Sequence, residues 1–288
     1  MEIRAYAKLN LILKIVGRRS DGYHDLVSLF QRIDLFDRLT FLPQKSGVTL
    51  VTDKKELPGD ASNLVFRAAE LILKASGIRE GISITLEKNI PVGAGLGGGS
   101  SDAASALIAI DRIFQLNRSP DELSAYGAKI GSDVPFFCRQ TPAAWVTGRG
   151  DRVEATSPLL EGWYLLVFPR FSVSTKEAYQ AWDRAKFGVK KELTKKLVHT
   201  TISGFPSGNW HAQAGALEND FERVVFPLYP VLKEIQEYLS RRGAETARLS
   251  GSGSTIFGLF LKESAAREAR TAIEKDFPEL WVRTARGA

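Results

Sequence analysis

The sequence predicts an α+β protein of two domains meeting near residue 155, and three features carry that reading. Apolar residues alternate strictly through Ile3, Ala5, Ala7, Leu9, Leu11, Leu13 and Ile15. Helical spacing follows in the same half, and the last third passes from helical to strand patterns and back. The loop-forming stretch TSPLLEG at 156–162 divides the chain into 1–155 and 156–288. With 288 residues there is enough chain for two cores without covalent staples. Its 44% apolar and 25% charged residues exclude disordered, collagen-like and coiled-coil classes.

The odd positions of the first strand form one buried face, so Arg4, Tyr6, Lys8 and Asn10 share the other. Further strands are expected at 25–42, with breaks near Asp34 and Asp37, at 47–52, and at 81–88, where GISITLEK alternates. Between them Asp60-Ala-Ser-Asn63 opens a helix that ends before Gly77. A second helix runs from near Ser100 to Phe114, with Ala103, Ala106, Leu107 and Ile110 on one side. A third, 120–129, begins after Ser119 with Pro120 and stops before Gly131, leaving Asp133 past a helix end in a Gly-Ser turn. The second half reads as a strand at 163–168, helical segments at 174–186, 217–225 and 228–241, and a strand near 246–250. A Gly251-Ser252-Gly253 turn, a strand at 255–261, a helix at 263–276 and a strand at 280–284 complete it. The stretch 188–215 has no steady period and reads as partly helical or looped.

The 39 basic and 33 acidic residues leave a net charge of +6, which favours anionic ligands without naming one. The single Cys138 excludes an internal disulfide or a thiolate-held metal, and His24, His199 and His211 lack metal-ligand spacing. Magnesium carried in by a substrate stays open. Charges at Glu2, Arg4, Lys8 and Lys14 interrupt any signal-peptide core, and no stretch reaches the roughly 18–20 apolar residues of a membrane span. A cytoplasmic location is expected.

The strongest local signal is Pro91, Val92, Gly93, Ala94, Gly95, Leu96, Gly97, Gly98, Gly99, Ser100 and Ser101, set between a strand and a helix. Glycines let the backbone adopt φ > 0 and approach a ligand, so successive N–H groups converge on phosphate oxygens. The helix N-terminus and the two hydroxyls add to that field. A loop used only for packing would lose conformational entropy without return. No lysine follows the glycines, so the Walker loop is excluded. Gly93, Gly95 and Gly98 match the dinucleotide fingerprint, but the acidic residue that should end a following strand falls at Asp111, inside a helix.

The string PVGAGLGGGSSDAASAL at 91–107 resembles the second motif of the GHMP kinases, which hold ATP phosphates with this loop. AKLNLILKIVGRRSDGYHDL at 7–26 is similar to their first motif, and LSGSGSTIFGLF at 249–260 to their third. The triple glycine before Ser-Ser-Asp, with Lys8, Asn10 and the string from Gly17 to His24, resembles the branch acting on 4-diphosphocytidyl-2-C-methyl-D-erythritol in non-mevalonate isoprenoid synthesis. The likeness covers most of 3–183 and 217–262 and fades between 188 and 215. Ser254 departs from the Pro or Ala of many relatives.

This resemblance implies a ribosomal-protein-like N-terminal domain that binds ATP, a ferredoxin-like C-terminal domain that binds the acceptor, and an active site in the cleft. It implies ATP as phosphoryl donor, with Mg2+ borne mainly by the ATP phosphates. Lys8 and Asp133 match the catalytic pair, although Lys8 taken alone reads as a solvated lysine and Asp133 as a turn residue. Tyr23 and His24 match the cytidyl-binding pair, and Tyr179 matches a second aromatic that sandwiches the base. Asn10 is expected at the substrate. Gly251, Ser252 and Gly253 are expected at the substrate diphosphate or against the glycine-rich loop. Asn63 matches a position near adenine, while its own context equally reads as a helix N-cap. The implied partner is the small-molecule acceptor, with no nucleic acid or membrane, for a monomer or weak dimer. Two other readings are weaker: a GHMP kinase with a mevalonate- or homoserine-like acceptor, which Tyr23-His24 opposes, and an RNA-binding module, which the interspersed charges oppose.

Overall fold

The computed structural model describes residues 1–157, 162–187 and 214–288. Residues 158–161 of the expected connecting loop, and 188–213 of the unassigned stretch, lie outside them. The α+β class holds. Two sheets organise the chain, one taking its strands from residues up to 156 and the other beginning at 163.

The first sheet is built on a long antiparallel pair, β1 (Glu2–Arg18) and β2 (His24–Gln44). β2 also pairs with β4 (Gly81–Glu87) and with β5 (Ala143–Gly148). β3 (Val48–Thr52) lies parallel to β4, and β6 (Arg152–Thr156) antiparallel to β5. α1 (Leu64–Ala75) connects β3 to β4. α2 (Gly98–Ile113), α3 (Pro120–Gly127) and the short α4 (Val134–Cys138) join it over the core around Phe41, Ile84, Leu107 and Phe136.

Several expectations change here. The Arg4–Asn10 face of β1 is not uniformly exposed, since Lys8 and Asn10 are buried at 3% and 2% exposure. The glycine-rich segment runs along β1, with the Lys8 N–H donating to Leu96 O and the Lys8 ammonium reaching Gly95 O, while the second sheet packs on the face of Leu9 and Leu11. Register shifts at Tyr6/Lys8, Asn10/Ile12 and Ile15/Gly17 let both Leu11 and Ile12 turn inward. β2 runs unbroken through Asp34 and Asp37. Asp37 finds partners inside the protein and Asp34 accepts from the Arg286 N–H, so neither ends the strand. α2 begins at Gly98 rather than near Ser100. The hairpin β5–β6 and the helix α4 had no counterpart in the sequence reading.

The second sheet has the antiparallel order β10 (Trp281–Arg286), β7 (Trp163–Phe168), β9 (Ile256–Phe260), β8 (Thr246–Leu249). α5 (Thr175–Ala185), α6 (Glu222–Leu228), α7 (Pro230–Arg241) and α8 (Glu263–Asp276) accompany it. The helix expected at 217–225 starts only at Glu222, because Asn219 bridges to Leu13 of β1 and holds its segment extended. β7 is buried on both faces. Leu165 and Val167 join the core under the helices, while Tyr164, Leu166 and Phe168 meet Leu9, Leu11 and Ile12 of β1. Each such side chain stabilises by about 1.5–3 kcal/mol, so a continuous apolar layer fixes the two sheets and the cleft at their ends. Among the described residues no helix is long and apolar enough to cross a membrane.

Candidate active site

Two cavities adjoin in that cleft, of about 810 Å³ and about 530 Å³, and they share Gly95, Gly97, Ser100 and Thr175. Pro91 through Ser100 line the smaller one. The loop turns at Gly93, Gly95 and Gly97 with φ of +66°, +79° and +72°, a region that side chains resist. Gly95 also needs the missing Cβ for space, since one would stand 2.2 Å from the Ser250 carbonyl oxygen. The third motif thus packs directly on the loop, and the Ser250 hydroxyl donates to Gly95 O at 2.9 Å. Gly97 is the N-cap of α2 and offers no capping side chain, and the first turn carries no acidic residue. The N-terminal amides and dipole are therefore left for an anion. Ser100 lines both cavities, but Ser101 is buried and faces a separate cavity of about 110 Å³ beside Arg4, Arg32 and Arg112.

Lys8 and Asp133 come together where the cavities meet, with Nζ 3.4 Å from Oδ2. The Lys8 ammonium donates to Asn10 Oδ1, reaches Gly95 O at 3.4 Å and stands 4.6 Å from the Phe30 ring centroid. Asn10 Nδ2 donates to the Ser28 hydroxyl at 3.0 Å, which fixes the amide's orientation. Asp133 occupies the N-cap position of α4, not only the end of a preceding turn, yet makes no side-chain cap bond. Its carboxylate is free to face the lysine. Burial pulls the Lys8 pKa below the ordinary value, and the neighbouring Asp133 carboxylate offsets that only in part.

The larger cavity draws on both halves of the chain. Tyr23 is 57% exposed on its rim, with the Arg149 guanidinium 5.1 Å from its ring centroid. His24 is buried and stacks face to face on Tyr179, with centroids 4.6 Å apart and planes 10° apart. Tyr179 packs edge-on against Phe221, and burial, then Asp133, pushes its hydroxyl up to about 12. Gly251 and Ser252 line this cavity, and the Ser252 hydroxyl lies 2.8 Å from that of Thr175. Gly253 does not reach it and packs against Leu249. Asn63 serves both readings at once: its Oδ1 caps α1 through the Val65 N–H, and the residue lines the smaller cavity.

Sequence reasoning missed a second ionic cluster beside the loop. Lys88, at the end of β4, donates to the carboxylates of Asp37 and Asp102, the latter at 2.8 Å. Asp37 Oδ1 also accepts from the Asn89 and Ile90 N–H groups at 2.6 and 2.8 Å, so it anchors the chain entering the loop. Burial, then Asp37, raises the Asp102 pKa against the attraction of Lys88. Its Oδ1 has no partner among the described residues. A charge in the middle of apolar β2 and a lysine just before the glycines were the available signals. Asn219 was missed too; its Nδ2 donates to Leu249 O and Gly251 O at 2.8 Å each and shapes the third-motif turn.

Comparison with known proteins places the chain among the GHMP kinases, which are small-molecule kinases. The family model "GHMP kinases N terminal domain" matches residues 63–140, and "GHMP kinases C terminal" matches 201–279. A 4-diphosphocytidyl-2-C-methyl-D-erythritol kinase of Syntrophus aciditrophicus (strain SB) is 43% identical over 98% of this chain and 97% of its own length. One of Moorella thermoacetica (strain ATCC 39073 / JCM 9320) is 39% identical over 98% of each. A crystal structure of 4-(cytidine 5'-diphospho)-2C-methyl-D-erythritol kinase superposes with TM-score 0.80 at 35% identity, covering 100% of both chains. The chain belongs to the 4-diphosphocytidyl-2-C-methyl-D-erythritol kinase family of the GHMP kinases, and that membership implies use of ATP.

Proposed function

We propose that this chain transfers the γ-phosphoryl group of ATP to the 2-hydroxyl of 4-diphosphocytidyl-2-C-methyl-D-erythritol in non-mevalonate isoprenoid precursor synthesis. One observation carries the reading: a buried ammonium and a partly open carboxylate stand 3.4 Å apart where an anion cradle meets a second cavity. In it, residues 1–155 hold ATP, and 156–288 complete the acceptor site. Amides at the N-terminus of α2 hold the phosphate tail, with Asn63 near the adenine end. Tyr23, His24 and Tyr179 receive the cytidine, and the Gly251-Ser252 turn its diphosphate.

Phosphoryl transfer passes through a loose transition state, so positioning and charge neutralisation dominate. Lys8 steadies the transferring group and the acceptor oxygen. Asp133 aligns the hydroxyl and takes its proton as the new O–P bond forms and the bond to ADP breaks. Mg2+ takes oxygen ligands, and the Ser100 hydroxyl and the unpartnered Asp102 Oδ1, both lining the smaller cavity, fit that requirement. When bound with ATP it would neutralise phosphate charge. The test mixes purified protein with ATP, Mg2+ and the acceptor and follows mass. The acceptor gains one phosphoryl group, with ADP formed only in its presence; ADP formed equally with mevalonate or homoserine would sink the acceptor assignment.

A further inference from the structure

Asp183 is unfavourably placed for its own helix. It lies in the last turn of α5, where a carboxylate opposes the macrodipole. Both of its oxygens are directed at the acceptor cavity's wall. Oδ1 is 2.8 Å from His24 Nε2, and Oδ2 is 3.5 Å from Arg18 Nη1. All three residues line the larger cavity. The His24 side chain is 6% exposed, against 30% for Asp183. Stacking on Tyr179 fixes the plane of the imidazole, and the Asp183 contact fixes its rotation within that plane.

We propose that Asp183 is a positioning residue that sets the base preference of the acceptor site by holding His24 as its Nε2–H tautomer. This rests on the reading that the cavity takes a cytidine diphosphate. A carboxylate only accepts hydrogen bonds, so the proton of the contact sits on Nε2. Arg18 shares the carboxylate and balances its charge. In that tautomer Nδ1 carries a lone pair, and it has no partner among the described residues. A lone-pair acceptor suits the exocyclic amino group of cytosine and opposes the carbonyl oxygen that uracil presents at the same place. A polar site left unpaired by the wrong ligand discriminates strongly.

The chain has three histidines, so the long-range 1H–15N NMR spectrum of the imidazoles is simple, and His24→Gln assigns the signal. The His24 signal is expected as the Nε2–H tautomer, and Asp183→Ala should release it to a mixture. CDP and UDP serve as binding probes that need no turnover. The wild type should bind CDP at least about tenfold more tightly than UDP. Asp183→Ala and Asp183→Asn should bring the two within about threefold, by weakening CDP, while ATP-analogue affinity stays unchanged. Asp183→Glu should restore part of the preference. A doubly protonated or Nδ1–H ring, equal wild-type affinities, or a CDP preference that survives Asp183→Ala would each overturn the inference. If these expectations hold while the methylerythritol acceptor is not phosphorylated, the proposed reaction fails and the base preference stands.

Discussion

Two buried lysines flank the same glycine-rich loop and meet opposite fates. Lys8 is 3% exposed and Lys88 7%, so burial works against both charges. Lys88 faces two buried carboxylates, which outweigh burial and raise its pKa above the ordinary value. Lys8 has one carboxylate, 29% exposed, together with an amide, a carbonyl and a ring, and burial wins. The charge of Lys88 is used within the protein. That of Lys8 is under-compensated, which is the condition in which an entering phosphate gains most from it.

The largest effect that separates the two is on stability. Lys88→Met strands Asp37 and Asp102 in the interior, and breaking such a pair costs about 3–5 kcal/mol, measurable by denaturant unfolding. Lys8→Met removes an ammonium whose burial is poorly compensated, so its unfolding midpoint should be unchanged or higher. Comparable losses in the two variants would show that both lysines serve stability alike.

Turnover should rank them the other way. Lys8→Met and Asp133→Asn should each lower kcat at least about a hundredfold, in protein whose unfolding midpoint is not lowered. Near-normal kcat in either variant would remove that residue from the chemistry.

Consecutive glycines each face one of the two lysines. A Cβ on Gly97 would stand 3.0 Å from Lys8 Cγ and from Phe137 Cζ, at φ +72°. A Cβ on Gly98 would stand 2.9 Å from Ile90 Cγ2 and 3.2 Å from Lys88 Nζ. Gly97→Ala should therefore reduce kcat about tenfold by moving the Lys8 chain, with about 1–2 kcal/mol of left-handed strain. Gly98→Ala should lower the unfolding midpoint through the Lys88 cluster, with kcat less affected. Steady-state kinetics and thermal unfolding of the two variants check this assignment.

The sequence made the cradle and Lys8 legible for different reasons. Glycine clustering between a strand and a helix has a direct backbone meaning, and the fold places it as expected. Lys8 gave no such signal by itself, because alternation along β1 describes two faces without saying what covers them; only the resemblance to GHMP kinases drew attention to it. Lys88, Asp37 and Asp102 could not be joined into a cluster because their connection is tertiary, across 51 and 14 residues, and single charges in apolar strands or helices read as breaks. The β5–β6 hairpin was missed although it brings Arg149 and Asp151 to the larger cavity. Its strands are short, at six and five residues, with left-handed backbone at Gly148 and Gly150.

The smallest expected effect is the shape of the alkaline limb, and its sign follows from the balance at Lys8. Burial places the Lys8 pKa below the ordinary 10.5, while Asp133 pulls it back up. As pH rises, Lys8 therefore loses its proton earlier than a solvated lysine, and kcat/KM, which reports the free enzyme, should decline before that ordinary value is reached. Removing the carboxylate with Asp133→Asn takes away the upward contribution, so the residual activity should decline at still lower pH. Lys88 titrates the other way, held charged by its carboxylates, so it should not contribute to this limb. A kcat/KM profile of Asp133→Asn whose alkaline limb coincides with the wild type would show that the two charges are uncoupled in the free enzyme, against the 3.4 Å contact.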